Sequence, residues 1–323
     1  MAAARSTSTS EPLRMHCMEV WGGNQPVDNG VVMVGLDAWV YSRPLGEAKA
    51  GGDVHYVSSC ATGRITRLLV ADVSGHGADV AAVAETLRDL MRRHVNYLDQ
   101  TRFVRRMNRE FSQLSQDGNF ATAVVTTFFA PTNQLTICNA GHPAPMVFRK
   151  SAGEWSILRQ AKPVIGLANI PLGVLDQTGY EQFGLRLRLG DLALCYTDSL
   201  VESKNERGEF FGEVGLLEVL NSLDASEPAT FAATLLDAIR SRSAKNLTED
   251  DVTVLLFRAN GMALRIPLRN RVLAPFRLLW AMIRACVPGG PPVPWPEWSL
   301  PNIGGALLHR FNRSWGGRDG AEE

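Results

Sequence analysis

Ile65-Thr66-Arg67-Leu68-Leu69-Val70-Ala71-Asp72-Val73 runs straight into Ser74-Gly75-His76-Gly77-Ala78. The apolar run Leu68 to Ala71 suits a buried strand; Asp72 closes it, and a tight turn follows. Beyond the turn, Val80, Val83, Ala84, Leu87, Leu90, Met91 and Leu98 recur at helical spacing, with Arg88, Asp89, Arg92 and Arg93 at the other positions. That pattern predicts an amphipathic helix. A buried strand, a carboxylate, a glycine turn and a helix therefore set the frame for the flanking segments.

On the N-terminal side, Val31 to Ser42 reads as a strand, Pro44 to Gly52 as a loop, and His55 to Ser59 as a strand paired with Ile65–Val73. On the C-terminal side a second helix is predicted over Thr101 to Leu114. Ala121 to Phe129, Leu135 to Ala140, Pro145 to Phe148 and Trp155 to Leu158 then read as the short strands of a meander. Phe183, Leu185, Leu187 and Leu189 alternate with Arg186 and Arg188 as a half-exposed strand, and Gly190-Asp191 turns it into Leu192 to Tyr196. Two helical stretches, Val214 to Leu223 and Ala229 to Ser241, precede a last strand at Val252 to Phe257. Helices clustered in pairs among antiparallel strands predict an α+β fold. The expected architecture is a four-layered αββα sandwich of two antiparallel sheets flanked by helices, not a doubly wound parallel sheet.

Composition narrows the function classes. With 323 residues and 45% apolar content the chain can bury one sizeable core or two modest ones. Lys plus Arg and Asp plus Glu number 33 each, so no net charge draws the whole chain toward nucleic acid or an anionic membrane. The balance hides an asymmetry: residues 261–323 hold eight Arg and four acidic residues, a net of +4 against −4 for the rest. Cys17, Cys60, Cys138, Cys195 and Cys286 are odd in number and widely spaced, which reads as reduced core thiols in a cytoplasmic protein. Residues 1–12 read as a loose leader without a signal peptide, and no window of 18 apolar residues lacks charge.

Four acidic points share one setting. Asp53 follows Gly51-Gly52, Asp72 ends a buried strand, Asp198 ends Leu192 to Thr197, and Asp250 opens the last strand in the pair Asp250-Asp251. A carboxylate at the rim of a core needs a cation or several hydrogen-bond donors. If the four rims converge, hard oxygen ligands without a His/Cys cluster suit Mg²⁺ or Mn²⁺ and not zinc. Two such ions would activate a water and clamp a phosphoryl group. Taken singly, each Asp is more often a turn former or helix cap than a ligand, so the metal reading rests on the constellation.

Five segments carry a family likeness: Gly51-Gly52-Asp53, Asp72 to Ala78, Asn139-Ala140-Gly141-His142-Pro143-Ala144-Pro145, Gly190-Asp191 leading to Tyr196-Thr197-Asp198, and Asp250-Asp251-Val252-Thr253. In order and spacing they resemble the bacterial SpoIIE/RsbU-like branch of the PPM (protein phosphatase 2C-like) phosphatases, as does Asn205 to Gly212. The resemblance covers roughly residues 45 to 258 and marks 13–258 as the phosphatase domain. It implies a serine/threonine phosphoprotein phosphatase that uses two Mn²⁺ or Mg²⁺ ions, with a phosphorylated protein such as an anti-sigma antagonist as substrate. Asp72 matches the bridging ligand and catalytic residue, and the Val73 carbonyl matches a ligand of one ion. Asp198 and Asp250 match ligands of the second ion, and Asp53 one on the first side.

His76 is the candidate general acid, because imidazole titrates near neutral pH; the bland reading is an exposed turn residue. Asp251 reads as a supporting or turn-capping residue, His142 as a turn histidine tying two strands, and His55 as structural. Ser199 stands where the family usually has glycine. The competing reading is a catalytically inactive module of the same fold that sequesters or localises a signalling partner.

Residues 259–323 form a basic tail rich in Pro and Trp. Leu273 to Val287 predicts a short amphipathic helix with basic flanks, too short at roughly 15 residues to span a bilayer. It suits a membrane interface, a partner, or a core position folded back on the domain. Gly289 to Pro301 reads as a semi-rigid extended linker.

Overall fold

The pairing of Asp53–Ser59 (β5), Ile65–Val73 (β6) and Ala121–Phe129 (β7) organises the computed structural model, which describes residues 11–74, 78–114, 119–160, 168–261, 268–290 and 293–294. These three antiparallel strands centre a six-stranded sheet. Val20–Gly23 (β2) extends it beside β5, and Gln134–Ala140 (β8) and Phe183–Arg186 (β11) extend it beyond β7. A seven-stranded sheet runs Leu13–Arg14 (β1), Val27–Val32 (β3), Leu36–Arg43 (β4), Val252–Ala259 (β13), Leu192–Tyr196 (β12), Met146–Arg149 (β9) and Glu154–Ile157 (β10). Every pairing is antiparallel except the two-residue contact of β1 with β3.

Side-chain alternation on β6 explains why its central run, Leu68 to Ala71, is continuously apolar. Leu69, Ala71 and Val73 pack with Ala78–Arg93 (α1) and Gln100–Leu114 (α2), while Leu68 and Val70 pack against the other sheet. Both faces are covered over that run, so an unpartnered polar side chain there would be costly. The second sheet repeats the device on β13. Leu255 and Phe257 face the sheet interface, and Val252, Val254 and Leu256 face Gly212–Asn221 (α3) and Pro228–Arg242 (α4). Each of these side chains contributes about 1.5–3 kcal/mol on full burial. The expected four-layered α+β sandwich is the observed one.

Four expectations change in detail. Val31 to Ser42 is two strands: Met33 N–H donates to the Leu36 carbonyl at 2.9 Å, and Gly35 takes φ 83°, closing a hairpin whose apolar turn residues hid it. Leu98 lies beyond the end of α1, packed with Cys60, Ile65 and Phe129. The buried Arg67 guanidinium donates to the carbonyls of His94 and Tyr97 and stacks over Phe103 at 4.0 Å, so the chain there leaves the helix. Cys60, Cys138 and Cys195 are buried free thiols as expected, but Cys17 is half-buried and Cys286 is exposed.

The last change concerns the tail helix, which spans Leu268–Ala285 (α5) and not Leu273 to Val287; it folds back on the domain through Arg277 but leaves Leu279 and Trp280 facing solvent. Trp295, Trp298, Trp315, residues 1–10 and most of the proline-rich linker lie outside the described residues.

Candidate active site

Asp53 and Asp72 are directly opposed in the β5–β6 register, at the end of the six-stranded sheet where its strands meet the rim of the seven-stranded one. Asp53 is buried, at 4% exposure, and its Oδ2 accepts a hydrogen bond of 2.7 Å from the Thr197 hydroxyl. Thr197 directly follows β12, so this bond crosses from one sheet to the other. The Thr197 oxygen in turn accepts from the Thr253 N–H at 3.0 Å.

Asp251 is the residue whose role the sequence understated. Its carboxylate accepts backbone N–H groups from Leu45 at 2.6 Å, from Gly52, and from Asp53 at 3.2 Å. Those three donors belong to the loop and strand start that carry Asp53, so Asp251 pins that segment to β13. Gly51 makes this possible: a Cβ there would lie 2.3 Å from Asp251 Oδ2.

Gly52 leaves a notch lined with oxygen. A Cβ at this position would stand 3.2 Å from the Val73 carbonyl oxygen, 3.4 Å from Asp251 Oδ2 and 3.5 Å from Asp72 Oδ1. Asp72 is half-buried; burial raises its pKa to about 7, and the carboxylates of Asp198, Asp250, Asp251 and Glu202 push in the same direction. Asp198 is raised by burial and then by Glu202 and Asp250. Asp53 is raised well above the carboxylate range by burial, with Thr197 and Thr253 opposing and Asp72 and Asp251 adding to the rise. The leading charged neighbours of Asp72 and Asp53 are all acids. A pocket that gathers this much negative charge suits a divalent cation.

The structure thus brings Asp53, Asp72, the Val73 carbonyl, Asp198 and Asp250 into one electrostatic neighbourhood. Among the described residues, however, no three His, Cys, Asp or Glu side chains form a ready cluster around a single point. His76 lies outside the described residues. Ser199 sits in a short 3₁₀ turn, Asp198–Leu200, and is absent from the positive-φ residues, so the expected glycine is not needed there.

His142 does more than tie two strands of one sheet. Its Nδ1 pairs with the Thr122 hydroxyl on β7 at 2.9 Å, and its Nε2 pairs with the Tyr196 carbonyl on β12 at 3.0 Å, so it joins the two sheets. A carbonyl only accepts, which fixes the proton on Nε2 and leaves Nδ1 to accept from Thr122. Asn139 holds the turn by accepting from the His142 N–H at 2.7 Å and donating to its carbonyl at 2.7 Å. His55 is buried behind the site, its ring 5.6 Å from that of Trp21. Thr197, Thr253 and Glu202 went unselected in the sequence; the one available signal was a buried-strand threonine beside an acidic motif.

The family model for Stage II sporulation protein E (SpoIIE) matches residues 62–260, more than half of the chain. The chain belongs to the SpoIIE family. That match begins after Asp53, so the place of Gly51-Gly52-Asp53 beside the SpoIIE segment comes from the β5–β6 register and from the bonds of Thr197 and Asp251 to it. Among curated relatives, phosphoserine phosphatase RsbP of Bacillus subtilis is 22% identical over 42% of this chain and 33% of its own length. Phosphoserine phosphatase RsbU of the same organism is 22% identical over 69% of this chain and 63% of its own length. The chain therefore spans less than two thirds of either relative. The solved PP2C phosphatase domain of Bacillus subtilis SpoIIE, with a fragment of its regulatory domain, superposes with a TM-score of 0.58 at 17% identity, covering 69% of this chain and 63% of that one. The SpoIIE-family chain thus has the PP2C fold.

Proposed function

We propose that this SpoIIE-family chain is a metal-dependent phosphoprotein phosphatase that hydrolyses phosphoserine or phosphothreonine on a signalling protein, using two Mn²⁺ or Mg²⁺ ions. The observation that carries the reading is the notch over Gly52, where the Val73 carbonyl and the carboxylates of Asp72 and Asp251 leave space that any side chain would fill. Hard oxygen donors with no competing cationic side chain among the leading neighbours of Asp72 suit such ions. In this assignment Asp72 would be shared by both ions, the Val73 carbonyl and Asp53 would hold the first, and Asp198 and Asp250 would hold the second. When bound, the ions supply a polarised water and a positive clamp for in-line attack on phosphorus.

The chain's own contribution is positioning. Asp251 holds the Asp53 segment through three backbone donors, and Thr197 orients the Asp53 carboxylate from the opposite sheet. Fixed ligands of this kind need no rearrangement when charge develops on the phosphoryl group. His76 is the candidate proton donor to the leaving serine oxygen. RsbU and RsbP are named phosphoserine phosphatases, which supports a phosphoserine substrate; a partner of the anti-sigma antagonist class follows from the family resemblance, and a cytoplasmic setting from the free cysteines.

The test is hydrolysis of para-nitrophenyl phosphate with added Mn²⁺ or Mg²⁺. Turnover that needs the ion, stops on chelation and vanishes in Asp72→Asn without loss of circular dichroism is the expected result. Folded wild-type protein that stays inactive with both ions would return the chain to the binding-module reading.

A further inference from the structure

Helix α5 is inverted relative to α1–α4. On its domain side, Asn270 and Ala274 are buried, and the Arg277 guanidinium donates to the Ala61 carbonyl at 3.1 Å and to Asn270 Oδ1 at 3.2 Å. Its large apolar residues face solvent: Leu268, Val272, Phe276, Leu279, Trp280 and Ile283, with Phe276 64% and Trp280 63% exposed. Steps of three and four residues align five of these, all but Trp280, in one stripe along the helix. A helix shaped only to pack on the domain would bury that stripe.

Along the chain the stripe is flanked by charge of one sign, while in space Glu19 and Asp89 of the domain lie beside the arginines on its inner edge. From Val252 to Pro296 the chain carries six Arg and no Asp or Glu. Arg269 and Arg284 are exposed near opposite ends of α5, and Arg284 lies close enough to Arg92 of α1 to repel it. Among the described residues no helix is long and apolar enough to cross a membrane. An apolar face, terminal cations and an interfacial Trp are the features of a helix that lies in the plane of a bilayer.

We propose that α5 docks the protein on an anionic phospholipid surface, with its apolar stripe at the headgroup–acyl boundary and Arg269 and Arg284 paired with lipid phosphates. Charge complementarity favours lipid over a second copy. Two copies paired antiparallel through this stripe bring Arg269 of each against Arg284 of the other, with no carboxylate on either helix to offset them. The inference is independent of the catalytic assignment, because its readout is binding.

The experiment uses the full-length protein and two vesicle preparations, phosphatidylcholine alone and phosphatidylcholine with about one third phosphatidylglycerol. Expected is sedimentation with the anionic vesicles, at least about tenfold weaker binding to the neutral ones, and weakening with added salt. Phe276→Asp with Leu279→Asp, both at exposed positions, reduces binding at least about tenfold with circular dichroism unchanged. A blue shift of Trp emission on anionic vesicles, absent in Trp280→Phe, places that ring in the interface. Wild-type protein that ignores anionic vesicles overturns the proposal, whether it stays monomeric or self-associates through α5 in sedimentation velocity. Equal binding to both lipid compositions overturns it as well, since the arginines then select nothing. The wild-type comparison decides the matter even if a variant fails to fold.

Discussion

Thr197 and Asp53 lie 144 residues apart and meet at 2.7 Å, the hydroxyl of one sheet donating to the carboxylate of the other. The bond closes the rim at which the acidic residues gather. It also leaves a buried carboxylate with a short list of donors, which makes its removal costly.

Thr197→Val keeps the shape of the side chain and deletes the hydroxyl. Asp53 loses a hydrogen bond and the Thr253 N–H loses its acceptor. The expected loss is about 1–3 kcal/mol in urea unfolding of metal-free protein, with Thr197→Ser restoring most of it. Equal stability of the Val and Ser variants would show that the bond contributes nothing net.

Gly51→Ala places a methyl group 2.3 Å from Asp251 Oδ2, so the loop or the carboxylate must move. A destabilisation of about 1–3 kcal/mol and a fall in metal-dependent turnover of at least about tenfold are expected. Gly23→Ala is the control, because a Cβ there meets nothing within 4 Å. If both variants behave alike, the close approach of Asp251 is not what requires glycine.

His142 predicts a pH dependence of stability. Burial lowers its pKa from 6.5 to about 4, although its bond to the Tyr196 carbonyl opposes the shift. Between these values the unfolded chain binds the proton and the folded chain does not. Its contribution is therefore complete above pH 6.5 and declines as pH falls toward about 4. The full span is worth about 3 kcal/mol. His142→Gln flattens that part of the profile when urea midpoints are compared across the window; an unchanged slope would place the titration elsewhere.

Much of the architecture was legible because local pattern and tertiary demand agree. The run Leu68 to Ala71 is apolar because both faces of β6 are covered, and the paired helices announce themselves by period. Where the two demands part, sequence reading slipped. The hairpin at Met33 to Gly35 is apolar where turns are usually polar, and the outward stripe of α5 has the composition of a core helix. The acidic motifs were visible, whereas Asp251 as the anchor of the Asp53 segment and His142 as the link between sheets were not.

The amino-acid sequence alone determined the strand and helix order from β4 to β13, the layered class, the acidic positions and the family likeness, since all of these follow from periodicity and short-range spacing. Only the tertiary structure decided which oxygen atoms face the Gly52 notch, which hydroxyl reaches Asp53, and which side of α5 meets solvent. Those relationships join atoms from strands and loops about 20 to 200 residues apart. No local pattern encodes them, because close contact, charge repulsion and burial depend on distance in space rather than along the chain.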